Sequence, residues 1–393
     1  MRALRRLGPW ILSAVLLASC GGGDPDVPGS GSPSGAPTDK GSFASVVSFG
    51  DSLSDAGTYT PATSVTGDGR APYIGGKFTN NTAGGWVWVE NVAGALGLLV
   101  TPAEVGWAGT SVACPAAADP ALAHTCTAYG QGGARVSNPD GIGHAQGALT
   151  VPLTTQIANH LARVGPFKNS DLIFVYGGSN DAFAQFDAFA TAAAQIQAAA
   201  AAGSITADQA SRQLFAAQQT ALGGMKTAAL QLAEAVVTQI VRHGGRYVAV
   251  LLLPDISDTP FGRSLPADVQ PVLSQLSQNF NVWLRDGLTG QPVRLIDTWT
   301  IFKATYADPA RYGITNNTVP ACDAAKIKAI TGGAITDGSS LFCNSTVGLP
   351  WYGIRDGADV NTWQFADSVH PTVKGHQLIS DAVLEQLRSF GWL

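Results

Sequence analysis

Charge is scarce in this sequence. Asp, Glu, Lys and Arg make up 13% of its 393 residues, against 45% hydrophobic residues. That balance excludes a disordered or coiled-coil chain and leaves enough apolar side chain for a sizeable core. Beyond Arg2, Arg5 and Arg6 there is no cluster of Lys and Arg, and the formal net charge is −5. The electrostatic footprint of a nucleic-acid binder is therefore missing. No fixed-period repeat appears, which argues against a solenoid. Cysteine is sparse, and no pair of cysteines has the close spacing of a zinc knuckle, so no metal site is expected.

What the first residues do contain reads as an export signal. Arg2, Arg5 and Arg6 precede a short apolar stretch from Trp10 to Leu17, too short to span a bilayer unaided. Leu17-Ala18-Ser19-Cys20 follows, and the segment resembles a bacterial lipoprotein signal. On that resemblance residues 1–20 are the signal and Cys20 becomes the lipid-bearing first residue. Gly21, standing where an aspartate would retain the protein, implies sorting to the outer membrane, with membrane contact through the N-terminal lipid. Residues 21–42 are mostly Gly, Pro, Ser, Asp and Ala, which cannot bury a core and read as a flexible tether with a mean reach of about 25 Å. With Cys20 lipidated, Cys114, Cys126, Cys322 and Cys343 remain, an even number suited to an oxidising compartment. Four cysteines allow three connectivities. The local pairs 114–126 and 322–343 are expected, each closing a Gly/Ala-rich loop.

Residues 43–393 read as one domain. Continuous apolar runs at 43–49, 171–176, 247–253 and 293–297 suit strands of a parallel sheet covered on both faces. Between them lie helical stretches at 182–242, interrupted at Gly203 and at Gly223-Gly224, then at 279–288, with a last helix at 373–389. Alternating β and α elements predict an α/β fold, a three-layer α/β/α sandwich with a mostly parallel sheet. The stretches 67–147 and 307–357 are Gly/Asn-rich and read as long loop insertions.

Two short motifs carry chemistry. Ser52 follows the first strand within Phe49-Gly50-Asp51-Ser52-Leu53, where a side chain projects from the sheet's carboxyl edge. At the far end, Asp367-Ser368-Val369-His370-Pro371 places a carboxylate three residues before an imidazole. Pro371 biases His370 toward extended angles, so Asp367 can accept from Nδ1 while Nε2 is left to take a proton from Ser52. None of His124, His144, His160, His243 and His376 has an aspartate so placed. His160 and His376 fall in helical stretches as ordinary surface or packing residues.

These blocks resemble those of the GDSL-type SGNH hydrolases, from Gly50-Asp51-Ser52-Leu53 to Asp367–His370. Two intermediate blocks stand between them in order, Gln131-Gly132-Gly133-Ala134-Arg135 and Gly177-Gly178-Ser179-Asn180-Asp181. Gly76-Lys77-Phe78-Thr79-Asn80 resembles a further early stretch of the family. The resemblance implies a Ser52–His370–Asp367 triad, with Ser52, Gly133 and Asn180 supplying the oxyanion hole; the Gly132-Gly133 doublet leaves Gly132 as the alternative. Asp51 and Asp181 are expected to bond nearby loop backbone. No cofactor is implied, and a monomer is expected. The expected function is that of an exported serine esterase cleaving short-chain acyl esters through an acyl-enzyme on Ser52. Three other readings stay open. One is a lipase, phospholipase or acyltransferase working on membrane lipids. Another is a polysaccharide acetyl esterase using Trp86, Trp88, Trp107 and Trp363 to stack on sugars. The last is a catalytically silent lipoprotein that binds glycan or a partner.

Overall fold

The computed structural model describes residues 31–63, 76–81, 85–349 and 351–393. The expected signal, Cys20 and residues 21–30 of the expected tether lie outside the described residues. Along the described chain run β1 (Ser45–Gly50), β2 (Glu104–Trp107), β3 (Thr110–Ala113), β4 (Asp171–Tyr176), β5 (Tyr247–Leu251) and β6 (Arg294–Ile296). β1, β4, β5 and β6 pair in that order as one parallel sheet. β2 and β3 form a separate antiparallel hairpin. Every residue of β4 and β5 is buried, which is why these segments, Asp171 at the start of β4 apart, are runs of apolar and aromatic residues rather than alternating.

The helices are α1 (Thr60–Thr63), α2 (Trp88–Ala95), α3 (Leu153–Arg163), α4 (Ser179–Ala201), α5 (Ala207–Ala235), α6 (Pro260–Ser264), α7 (Gln270–Gly287), α8 (Thr298–Ala307), α9 (Ala324–Ile330) and α10 (Val373–Ser389). α2 packs on α10, and its Trp88 sets its ring edge-on to Phe174 and Tyr176 of β4. α4, α5 and α7 pack as a second group, with α3 lying against β1 and α5. The result is the three-layer α/β/α sandwich read from the sequence.

Two helix boundaries differ from expectation. The chain breaks at Gly203, whose φ of 70° is left-handed, but α5 runs straight through Gly223-Gly224. A Cβ on Gly224 would fall 2.3 Å from the Gln185 side chain of α4. The missing side chain there serves close approach of two helices, which outweighs the roughly 1 kcal/mol that a helical glycine costs. α7 starts at Gln270 rather than near Asn279, with Pro271 in the first turn, where the absent N–H is not missed.

The edge of β1 is extended by an irregular strip. Ser48 N–H donates to Thr127 O at 2.9 Å, Tyr129 N–H to Ser48 O at 2.7 Å and Gln131 N–H to Gly50 O at 3.2 Å. This strip delivers Gly132-Gly133 beside the end of β1. At the opposite edge, where the strands begin, the segment expected as tether is docked from Ser32 onward. Gly290 N–H donates to Ser32 O, Ser34 N–H to Gln291 O, and Gly41 N–H to Trp392 O, at 2.9 to 3.0 Å. Trp392 Nε1 donates to Pro37 O at 2.8 Å, and Asp39 accepts from Arg246 and Tyr247. A Gly/Pro/Ser stretch buries no core of its own, yet its backbone still pairs with an existing edge. The structure joins Cys114 to Cys126 and Cys322 to Cys343.

Candidate active site

Three elements end at one place on the sheet's carboxyl edge, as parallel strands do in this architecture. β1 ends at Gly50, whose N–H and C=O are both held by the Gln156 side chain of α3, at 2.9 and 2.8 Å. A Cβ on Gly50 would lie 2.6 Å from Tyr176 O, so the turn into Ser52 tolerates only glycine. β4 ends at Tyr176, and Gly178, with φ of 118°, caps α4 and presents Asn180 in its first turn. The loop before α10 carries Asp367 and His370.

The structure brings all five expected residues to this edge. His370 Nε2 lies 2.9 Å from Ser52 Oγ, and Nδ1 lies 2.8 Å from Asp367 Oδ2. Asp367 accepts further bonds from the N–H groups of Val369 at 3.0 Å, His370 at 2.7 Å and Ser340 at 2.8 Å. Burial pushes the Asp367 carboxyl up, but the His370 charge and these donors outweigh it and hold it well below the usual carboxylate range. Burial pushes His370 down, and the Asp367 charge and hydrogen bond more than reverse that, leaving the imidazole above its ordinary value. An anionic Asp367 thus fixes the proton on Nδ1 and leaves Nε2 as the acceptor facing Ser52.

The glycine doublet is divided by its hydrogen bonds. Gly132 N–H donates to Asp55 Oδ2 at 2.8 Å, and Gly132 O accepts from Tyr59 OH at 2.6 Å. Among the described residues, the N–H groups of Ser52 and Gly133 have no acceptor. Gly133 has φ of 80°, and a Cβ there would fall 2.0 Å from Ile142 O. Asn180 Nδ2 donates to Ala134 O at 2.9 Å, which spends one amide hydrogen and leaves the other free to point elsewhere. Asp181 accepts from Arg135 Nε at 3.1 Å and Val136 N–H at 2.9 Å, tying α4 to the same loop. Asp51 accepts from Leu53 N–H at 3.1 Å, and burial pushes its carboxyl up to about 7.

A family model described as GDSL-like Lipase/Acylhydrolase matches residues 46–383. The chain belongs to that family. GDSL-like acylhydrolases act on ester bonds, and the strand-end serine described above is the residue that gives the motif its third letter. Among similar proteins, Esterase EstA of Pseudomonas aeruginosa is 36% identical over 141 residues, 35% of this chain and 19% of that protein. Esterase EstA of Pseudomonas putida matches to the same extent. An uncharacterized protein in the trpE-trpG intergenic region of Pseudomonas putida is 31% identical over 149 residues, 36% of this chain and 22% of its own length. The match spans about a fifth of each relative.

Sequence reasoning passed over several residues that shape this GDSL-like site. Asp55 is buried and accepts from Gly57, Thr58 and Gly132 N–H groups at 2.9, 2.6 and 2.8 Å. Burial pushes its carboxyl up to about 6 against those donors. Its position three residues after Ser52 was the available signal. Ser340 and Gln156 carried none, since each reaches the site from a distant segment. His376 is buried in α10; its Nδ1 accepts from Trp88 N–H at 3.2 Å, so Nε2 donates to Phe78 O at 3.3 Å. His160 is also buried, stacked on Phe167 at 4.4 Å. Of the tryptophans considered for sugars, Trp88 is core, whereas Trp86 is 47% exposed.

Proposed function

We propose that the protein is an exported serine esterase that hydrolyses short-chain acyl esters. Ser52 Oγ attacks the ester carbonyl as His370 Nε2 takes its proton, and His370 returns that proton to the leaving alcohol. Asp367 holds the tautomer and balances the imidazolium. The N–H groups of Ser52 and Gly133 and the second Asn180 amide hydrogen stabilise the oxyanion, each worth about 3 kcal/mol of barrier. Water, activated by the same imidazole, then frees the acid. The observation that carries this reading is the unbroken line from Asp367 through His370 to Ser52 Oγ, with contacts of 2.8 and 2.9 Å. Asp55, by consuming the Gly132 N–H, supports Gly133 as the oxyanion glycine. Export as a lipoprotein, with residues 1–20 as signal and 43–393 as the hydrolase domain, is supported by the Arg2-to-Cys20 pattern and by the two disulfides. Among the described residues, no helix is long and apolar enough to cross a membrane.

The test is hydrolysis of p-nitrophenyl acetate, butyrate and palmitate by the full-length protein in detergent, beside Ser52→Ala. Turnover of the short esters is expected, falling by about three orders of magnitude or more in the variant. The acid limb of kcat/KM should have its midpoint above an ordinary imidazole value, because Asp367 favours the protonated ring; activity is lost as pH falls through that midpoint. Preference for palmitate would replace the short-chain substrate with a lipid. Equal activity of the variant would remove Ser52 from the mechanism.

A further inference from the structure

The segment Gly76–Asn81 contributes no group to the proposed chemistry, yet its Phe78 ring touches two parts of the site at once. On one side the ring lies 4.8 Å from the His370 imidazole, tilted by 40°. On the other it lies against Gly132, where an added Cβ would fall 2.1 Å from Phe78 Cε2. Gly132 therefore lacks a side chain because this ring occupies the space. An aromatic ring beside a histidine is ordinarily packing and nothing more. What sets this one apart is that its backbone is bolted from three directions.

Phe78 O accepts from His376 Nε2 at 3.3 Å, and His376 is fixed in turn by Trp88 N–H. Lys77 pairs with Glu90 of α2 at 2.7 Å in a largely buried setting. Asn81 closes the segment: its Oδ1 accepts from Lys77 N–H at 3.0 Å, and its Nδ2 donates to Ser340 O at 3.0 Å. Asn81 N–H also donates to Cys343 O at 3.0 Å. The ring is thus clamped by α10, by α2 and by the inserted loop that supplies Ser340 N–H to Asp367. Tyr59 completes the wall, set edge-on to Phe78 at 6.1 Å while its hydroxyl donates to Gly132 O.

We propose that Phe78 is a positioning residue for the reaction, holding the His370 ring in the orientation that reaches Ser52 Oγ and bracing the Gly132-Gly133 turn from behind. This rests on the esterase reading of Ser52 and His370. Without the ring, the imidazole gains rotational freedom about its link to Asp367 and the glycine turn loses its backing. A misplacement of about 1 Å in such a constellation costs up to about a hundredfold in rate. The loss belongs to kcat, since Phe78 is not asked to bind the substrate in its ground state.

The experiment compares wild type, Phe78→Leu and Phe78→Ala as full-length proteins, with active sites titrated by a fluorophosphonate. Per titrated site, kcat for p-nitrophenyl butyrate is expected to fall about fivefold in Phe78→Leu, which keeps bulk but not a flat ring. In Phe78→Ala the expected fall is about thirtyfold. KM should stay within about twofold. The second-order rate of Ser52 labelling should fall in parallel, and that readout needs no ester substrate. An unchanged kcat per titrated site would assign Phe78 to folding alone and overturn the proposal. So would a change confined to KM, which would make Phe78 a substrate contact. Should Phe78→Ala not fold, Phe78→Leu decides by the same criteria. Failure of the underlying reading looks different: fluorophosphonate would not label Ser52 in the wild type at all.

Discussion

The two disulfide-closed loops are both local and both contain several alanines, and they are unlike in what hangs on them. The Cys114–Cys126 loop carries only the 3-10 turns Pro115–Ala118 and Pro120–Thr125, mostly exposed, beside a β3 strand exposed at every residue. The Cys322–Cys343 loop buries Cys322, Ile327 and Cys343 in one cluster with Ile354 and Ala366 of the chain that follows it. It also grips the site. Cys322 N–H donates to Ala366 O at 2.8 Å, one residue before Asp367, and Ser340 N–H donates to Asp367 itself. Asn81 N–H reaches Cys343 O and so links the loop to Phe78. A cross-link of either kind limits the unfolded chain; only the second also holds the acid and steadies the ring behind the base.

Loop-closure entropy makes that contrast measurable. The cysteines are 12 and 21 residues apart, and for both spacings the chain-entropy contribution is about 3 kcal/mol. Stability alone will hardly distinguish the two bonds, whereas activity should. Replacing Cys322 and Cys343 by serine is expected to lower kcat/KM on the order of twentyfold at 25 °C, measured on protein shown to be folded by circular dichroism. Ser340→Pro isolates one strand of the effect. Ser340 opens a 3-10 turn, where proline is accommodated, and Ser339 already has the extended φ of −48° and ψ of 128°. Losing that one donor to Asp367 should cost about fivefold in kcat with little change in melting temperature. Replacing Cys114 and Cys126 by serine should lower the melting temperature about as much as the first pair while leaving kcat/KM within about twofold. Equal losses of activity from both pairs would dissolve the distinction.

Much of this was legible in the sequence because it depends on local pattern. The four sheet strands lie where uninterrupted apolar runs end in Gly, Pro or Asp, and the motif around Ser52 and the Asp367–His370 spacing are short-range features. α10 runs from Val373 to Ser389, as its four-residue apolar repeat requires. What escaped was decided at long range. Gly223-Gly224 reads as a helix break until Gln185 is seen against it. Asp55 looks like a turn residue until its second oxygen is found on Gly132, 77 positions away. Ser340 and Phe78 sit in loops whose paths are set by a disulfide and by Asn81, and no periodicity announces such paths. The pairing of Ser32, Ser34 and Gly41 with the body escaped for a similar reason: composition records what a segment is unable to bury, not what it can pair with.

The docked stretch from Ser32 to Gly41 also sets a compass direction. It joins the body at the edge where the strands begin, and Ser52 stands at the edge where they end. If Cys20 carries lipid, the chain between it and Ser32 extends at most about 40 Å, shorter than the roughly 50 Å breadth of a fold this size. With such an anchor the leash would leave from the floor of the molecule, and the mouth would open away from the bilayer. An enzyme held in that way would meet esters lying beyond its own membrane more readily than the lipids beneath it.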